Sequence, residues 1–96
     1  MTKKDLVQSV AEETNVPQSN VKTVLECIIT KIEESVAAGD PVYLRGFGSF
    51  VSQERKAKVA RDFRNSGTIQ IAAHTIPKFR PYDDFINLVN NGGSEE

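Results

Sequence analysis

Val21, Val24, Leu25, Ile28, Ile29, Ile32 and Val36 recur at i, i+3, i+4, i+7, i+8, i+11 and i+15. That spacing lays all of them along one side of a long α-helix. A chain of 96 residues that commits this much apolar side chain to one helix face has little else with which to cover it. Upstream, Thr2 and Asp5 make a capping-box-like pair, and Leu6, Val7, Val10 and Ala11 follow at helical spacing. A first helix is therefore expected over about residues 3–14. Pro17 and Ser19 mark the start of the second helix, and Gly39 is its natural stop. The short joint predicts an antiparallel or crossed pair.

The length allows one small domain, residues 1–96. Cys27 is the sole cysteine, so no internal disulfide can brace it, and one Cys with one His (His74) argues against a metal site. No cofactor is expected. Oligomerisation is the remaining common way to stabilise so small a chain. There is no apolar run near the roughly 20 residues of a membrane helix, and no apolar signal-peptide segment follows the N-terminal lysines. A soluble, cytoplasmic protein is the expectation.

After Gly39 the helical period disappears. Val42 to Leu44 reads as a short strand, "RGFGSF" as a turn with two glycines, and a long strand starts near Ser49. "TIQIAA" alternates Ile69, Ile71 and Ala73 on one face, and "RNSG" supplies the turn before it. Pro77 and Pro81 bracket "KFR" and close the strand region. "YDDFINLVN" reads as a short helix with acids in its first turn and Phe85, Leu88 and Val89 on one face; residues 91–96 read as a frayed tail. The expected order is α-α-β-β-β-α.

The net charge of −1 hides a sharp division. Residues 1–44 carry −3, residues 45–80 carry +6 and residues 81–96 carry −4. The basic middle contains a segment with no core to serve. From residue 55 one strand face would hold Arg55, Ala57, Val59, Arg61 and Phe63, and the other Lys56, Lys58, Ala60, Asp62 and Arg64. Neither face can pack as a hydrophobic layer, so this hairpin, about residues 52–75, should project from the body. Ser52 to Phe63, at ~3.3 Å per residue, spans roughly 40 Å. Spaced Arg and Lys can pair with successive phosphates, and a minor groove attracts Arg. An apolar tip such as Phe63 can wedge between base pairs; packing against its own hairpin is the competing role.

These residues resemble the HU/IHF family of bacterial histone-like nucleoid proteins. The resemblance rests on "GDPVYLRGFGSF" and "IPKFRP", the basic arm between them, and the ungapped interval from Gly46 to Pro77. It implies an α+β fold: a helical base with a three-stranded antiparallel sheet extended into a β-arm, in an intertwined dimer. The dimer would be a homodimer or a heterodimer with a paralogue, and its partner double-stranded DNA. By position, Arg55, Lys58 and Arg61 correspond to phosphate or groove contacts on the arm; Lys56, Arg64 and Asn65 are further candidate DNA-binding residues on the arm and its tip. Gly46 and Gly48 form the turn that feeds the arm, with Gly46 letting backbone amides meet phosphate. Lys3, Lys78 and Arg80 correspond to flank contacts on the body, and Phe47, Phe50 and Phe79 to dimer-core aromatics. The chain departs from the family at the tip. Arg61-Asp62-Phe63 stands where the family has Arg-Asn-Pro, and Ala60 where it has Gly. It is also slightly acidic where the family is basic.

Other signals are weaker. His74 reads as structural or solvent-facing, and Cys27 as a packing or partly exposed residue. Asp83 and Asp84 read as first-turn helix acids rather than a catalytic pair, and "GFG" lacks the Lys-Ser/Thr tail of a phosphate loop. The expected function is non-enzymatic: a nucleoid-associated, minor-groove DNA binder of low sequence specificity that bends and compacts DNA. Two alternatives stay open, a sequence-preferring IHF-like bender and a module that grips acidic proteins and has lost DNA binding.

Overall fold

The computed structural model describes residues 1–62 and 67–92. They form two compact units, Met1–Glu34 and Ser35–Glu96. The frayed-tail expectation for 93–96 lies outside the described residues.

In the first unit, helix α1 spans Lys3–Thr14. Its start is the capping box read from the sequence. The Asp5 amide donates to Thr2 Oγ1 at 3.2 Å, and the Thr2 amide donates to Asp5 Oδ2 at 3.0 Å. Two of the amides that a helix start leaves without partners are thereby satisfied. Asn15, at φ 60°, ends the helix in the left-handed conformation that Asn tolerates. Val7 and Ala11, four residues apart and so on one face, are the buried apolar residues of the described chain.

Helix α2 spans Gln18–Ala37. The Pro17 carbonyl accepts from the amides of Asn20 and Val21, which starts the first turn. Its end is a Schellman arrangement: the Gly39 amide donates to the Val36 carbonyl at 2.9 Å, and the Asp40 amide to the Ser35 carbonyl at 2.9 Å. The apolar stripe is formed but not covered. Val24 is 58% exposed, Ile28 50% and Ile29 40%. Leu6, Val10, Val21, Val24 and Ile28 line an open apolar cleft of about 390 Å³ between α1 and α2.

In the second unit, β1 (Val42–Leu44), β2 (Gly48–Arg55) and β5 (His74–Pro81) form an antiparallel sheet in the order β1-β2-β5. Strands β3 (Lys58–Asp62) and β4 (Gly67–Ile71) form a separate antiparallel pair. Helix α3 spans Asp83–Asn90, with Asp83 and Asp84 in its first turn. The aromatic side chains of Phe47, Phe50, Phe79 and Phe85 cluster here. Ring centroids are 4.9 Å apart for Phe50–Phe79, 5.0 Å for Phe47–Phe79 and 5.3 Å for Phe47–Phe85. The rings are tilted, as quadrupole repulsion between stacked faces favours.

The strand boundaries differ from the sequence expectation in two ways. The single long strand from Ser49 is two strands, β2 and β3, interrupted at Lys56–Ala57. Its partner is likewise β4 and β5, interrupted at Ala72–Ala73, so "TIQIAA" stops being a strand at Ile71. The register passes through the break unchanged: Arg55 pairs with His74 before it and Lys58 with Ile71 after it. Three of the four residues at the gap are alanines, which have low strand propensity and little side chain to pack across the pair. Second, Pro81 closes the strand region as expected, but Pro77 lies within β5. Strand β5 is an edge of its sheet, where a missing amide proton costs no ladder bond on the open side. The ladder's last described pair is Asp62 with Gly67, so Gly67 belongs to β4 rather than to the turn.

Gly48 marks the tightest approach in the sheet. A Cβ there would lie 2.6 Å from the Arg80 carbonyl oxygen and 2.6 Å from the Phe79 ring. Backbone cannot yield as a flexible side chain can. Gly48→Ala is expected to destabilise the fold by about 1–3 kcal/mol, measured as a lower urea midpoint at fixed protein concentration.

Candidate nucleic-acid interface

Cross-strand partners share a sheet face, and faces alternate along each strand. Phe50–Phe79, Ser52–Pro77 and Glu54–Thr75 therefore make one face of the β2–β5 ladder. Ser49–Arg80, Val51–Lys78, Gln53–Ile76 and Arg55–His74 make the other. Arg55, Lys78 and Arg80, which the sequence divides between arm and flank, fall on one face, turned away from the Phe50–Phe79 pair. All three are exposed.

Beyond this ladder the arm's first strand offers little to a core. Lys56, Ala57 and Lys58 are exposed, and Val59 is 62% exposed despite its apolar side chain. The backbone of Arg61 pairs with Thr68 in the β3–β4 ladder. Phe63, Arg64 and Asn65 lie outside the described residues. At the break, an open recess of about 650 Å³ is lined by Arg55, Lys56, Lys58 and His74, with Ile71 and Ile76.

The turn feeding β2 is built from hydrogen bonds. The Phe47 amide donates to the Leu44 carbonyl at 2.9 Å, with Arg45 and Gly46 at the central positions. Gly46 has φ +80° and Arg45 does not share that conformation. This is the pattern of a type II turn, which places a left-handed residue, usually Gly, second. The Tyr82 amide then donates to the Phe47 carbonyl at 3.0 Å, tying the turn to the start of α3. One side of the turn backbone is thus already engaged, and Phe47 keeps 42% of its surface exposed.

Lys3, expected as a flank contact on the body, is exposed and forms an ion pair. Its Nζ lies 2.8 Å from Glu26 Oε2. The hydrogen bond and charge of Lys3 hold the Glu26 carboxyl below the usual carboxylate range, with Lys22 adding a smaller pull in the same direction. His74 is exposed, as one of its two expected placements has it. It stands opposite Arg55, and no sequence motif announces it; only the register brings the two together. Cys27 is exposed, and no metal-binding cluster of His, Cys, Asp and Glu occurs among the described residues. Among those residues no helix is long and apolar enough to cross a membrane.

The model of the family described as "Bacterial DNA-binding protein" matches residues 1–90. The chain belongs to the bacterial DNA-binding protein family. Among curated members, the DNA-binding protein HU of Clostridium pasteurianum is 34% identical over 90 residues, covering 94% of this chain and 99% of that protein. Integration host factor subunit alpha of Anaeromyxobacter dehalogenans is 30% identical over 96 residues, covering all of this chain and 85% of that one. Among solved structures, the Anabaena HU–DNA cocrystal superimposes with a TM-score of 0.89 at 38% identity, over 93% of this chain and 97% of that chain. The expected α+β fold is the one this family has, and membership places the chain among DNA-binding proteins rather than enzymes.

Because Glu26 has a depressed folded-state pKa, the Lys3 pair stabilises at neutral pH. That contribution is lost as pH falls through the folded value. Lys3→Gln is expected to raise the Glu26 titration midpoint toward that of an ordinary carboxylate, as read by NMR of the side-chain carboxyl.

Proposed function

We propose that this protein is an architectural DNA-binding protein. It binds double-stranded DNA as a dimer through the minor groove, with low sequence specificity, and bends and compacts it through two basic β-arms. The observation that carries this reading is the arm itself: a hairpin in unbroken register with the body sheet, basic at its root and with no apolar face on its first strand. Such a ribbon has no reason to exist in the isolated chain, and a polyanion supplies what its own core does not.

Arg55, Lys56, Lys58, Arg61 and Arg64 would contact phosphates or the groove from the arm. Lys78 and Arg80 would do so from the sheet face they share with Arg55. Gly46 would bring backbone amides near phosphate, and Asn65 would act at the tip. Lys3 would contribute only by exchanging Glu26 for phosphate. Phosphate contacts carry little sequence information, which supports low specificity. Bending a site costs roughly 1–10 kcal/mol, and Phe63 would lower that cost by holding a kink open.

The dimer reading is supported by what the single chain leaves uncovered. Among the described residues no large side chain is fully buried. Val24, Ile28, Leu88 and Val89 are each at least half exposed. Covering apolar surface yields roughly 25 cal/mol per Å², so a second copy is the natural cover for the α2 stripe. Phe47, Phe50 and Phe79 would be shared in that interface. Residues 1–96 would then act as one domain, with the arm at about 52–75, in the nucleoid of a cytoplasm. The match to an integration host factor subunit along the whole chain keeps a second reading in view, a heterodimer with sequence preference. Competition by unrelated duplex separates the two, since a sequence-preferring protein resists it.

Binding to short random duplexes should weaken steeply with salt; no binding at low salt would sink the reading, and leave the acidic-protein module. Arg61→Ala should lower the salt slope by about 0.9 for each phosphate that the arginine no longer neutralises. Phe63→Ala should reduce bending, read by ligation-circle efficiency, more than it reduces affinity. Val24→Asp places a charge on the uncovered stripe and is expected to shift the protein toward monomer in sedimentation.

A further inference from the structure

The recess at the break between the two ladders holds a combination of groups that the DNA-binding reading does not by itself require. Arg55 and His74 are direct cross-strand partners on β2 and β5, Lys56 stands in the break and Lys58 just past it, and all four line the recess. The His74 ring is oriented: its Nδ1 lies 3.0 Å from the Ala72 carbonyl oxygen. A carbonyl oxygen only accepts, so Nδ1 carries a proton and Nε2 is the nitrogen whose proton can come and go. Histidine is the side chain whose charge ordinarily changes in the range of roughly pH 5 to 8. The other charged groups near it are these cations and Glu54. Glu54 is on the opposite sheet face with Thr75, while Lys78 follows Ile76 on the same face.

We propose that this recess seats one phosphate of the DNA backbone between Arg55, Lys58 and the Nε2–H of a protonated His74, so that each arm takes up a proton as it engages. The inference rests on the DNA-binding reading and deepens it by naming a residue and a regulating variable. Like charges directly opposite on a sheet repel. A phosphate placed between them turns one repulsion into two attractions, and Lys58 adds a third. Reciprocity follows: if phosphate favours the proton, the proton favours phosphate. The paired breaks in β2–β3 and β4–β5 matter because they open the ladder where the anion must enter. Ala57 and Ala72, with one methyl each, leave that entrance unfilled.

The test uses the full chain and a short random duplex carrying a pH-insensitive fluorophore. Anisotropy is measured across a salt series near pH 8 and near pH 5.5. For the wild type the log–log salt slope should steepen at the lower pH by about 0.9 for each engaged arm, one extra phosphate neutralised per arm. Affinity at moderate salt should rise several-fold. His74→Gln should keep one slope at both pH values, and His74→Lys should show the steeper slope at both. Calorimetry in two buffers of different ionisation enthalpy should register proton uptake on binding for the wild type and less for His74→Gln. Equal pH response in wild type and His74→Gln would overturn the proposal while leaving DNA binding intact. Loss of all duplex binding by the wild type at low salt would overturn the DNA reading itself. Circular dichroism at each pH verifies that the exposed substitutions leave the fold in place.

Discussion

The β2–β5 ladder is the interaction on which the rest of the second unit depends. It places Phe50 against Phe79 on one face and gathers Arg55, Lys78 and Arg80 on the other. A shift of one residue would exchange the two sets, sending the aromatics to solvent and the cations into the core. The aromatic cluster therefore fixes the basic face as well as the fold. The same register runs unbroken into β3–β4, so the arm inherits its alignment from residues that never leave the body. Gly48 belongs to this mechanism, because only a residue without Cβ lets Phe79 and the Arg80 carbonyl come so close.

A second constraint is the shortage of cover. The described chain buries Val7 and Ala11 well, yet leaves the α2 stripe and the outer side of α3 open. An apolar cleft between α1 and α2 remains unfilled. Small chains bury a limited share of their surface, and stability then depends on association. The two kinds of incompleteness call for different partners. The helices present apolar surface, which another copy of the same chain can match. The arm presents cations with no core, which a polyanion can match.

Much of this was legible in the sequence. The helix limits at Thr2, Pro17 and Gly39 are set by local chemistry within a few residues, and local chemistry survives into the structure. The strand boundaries were less legible. Pro77 reads as a breaker because a proline in a strand is tolerable only on an edge, and which strand is an edge is a property of the whole sheet. The break at Lys56–Ala57 is similar. It matters because Ala72–Ala73 stands opposite, and that pairing joins segments far apart in the chain. The pairing of Lys3 was not legible because Glu26, its partner, sits on another helix.

By itself, then, the sequence determined the two leading helices, a β region and a closing helix in that order, the segregation of positive charge into the middle third, and the existence of a basic arm. These follow from periodicity, capping and composition, which act over short distances. Only the tertiary structure decided that Arg55, Lys78 and Arg80 share one face, that His74 stands opposite Arg55, and that Lys3 is already paired. Each of these is a relation between residues on different elements. It is fixed by register and packing, and an amino-acid string does not carry it until the chain has folded.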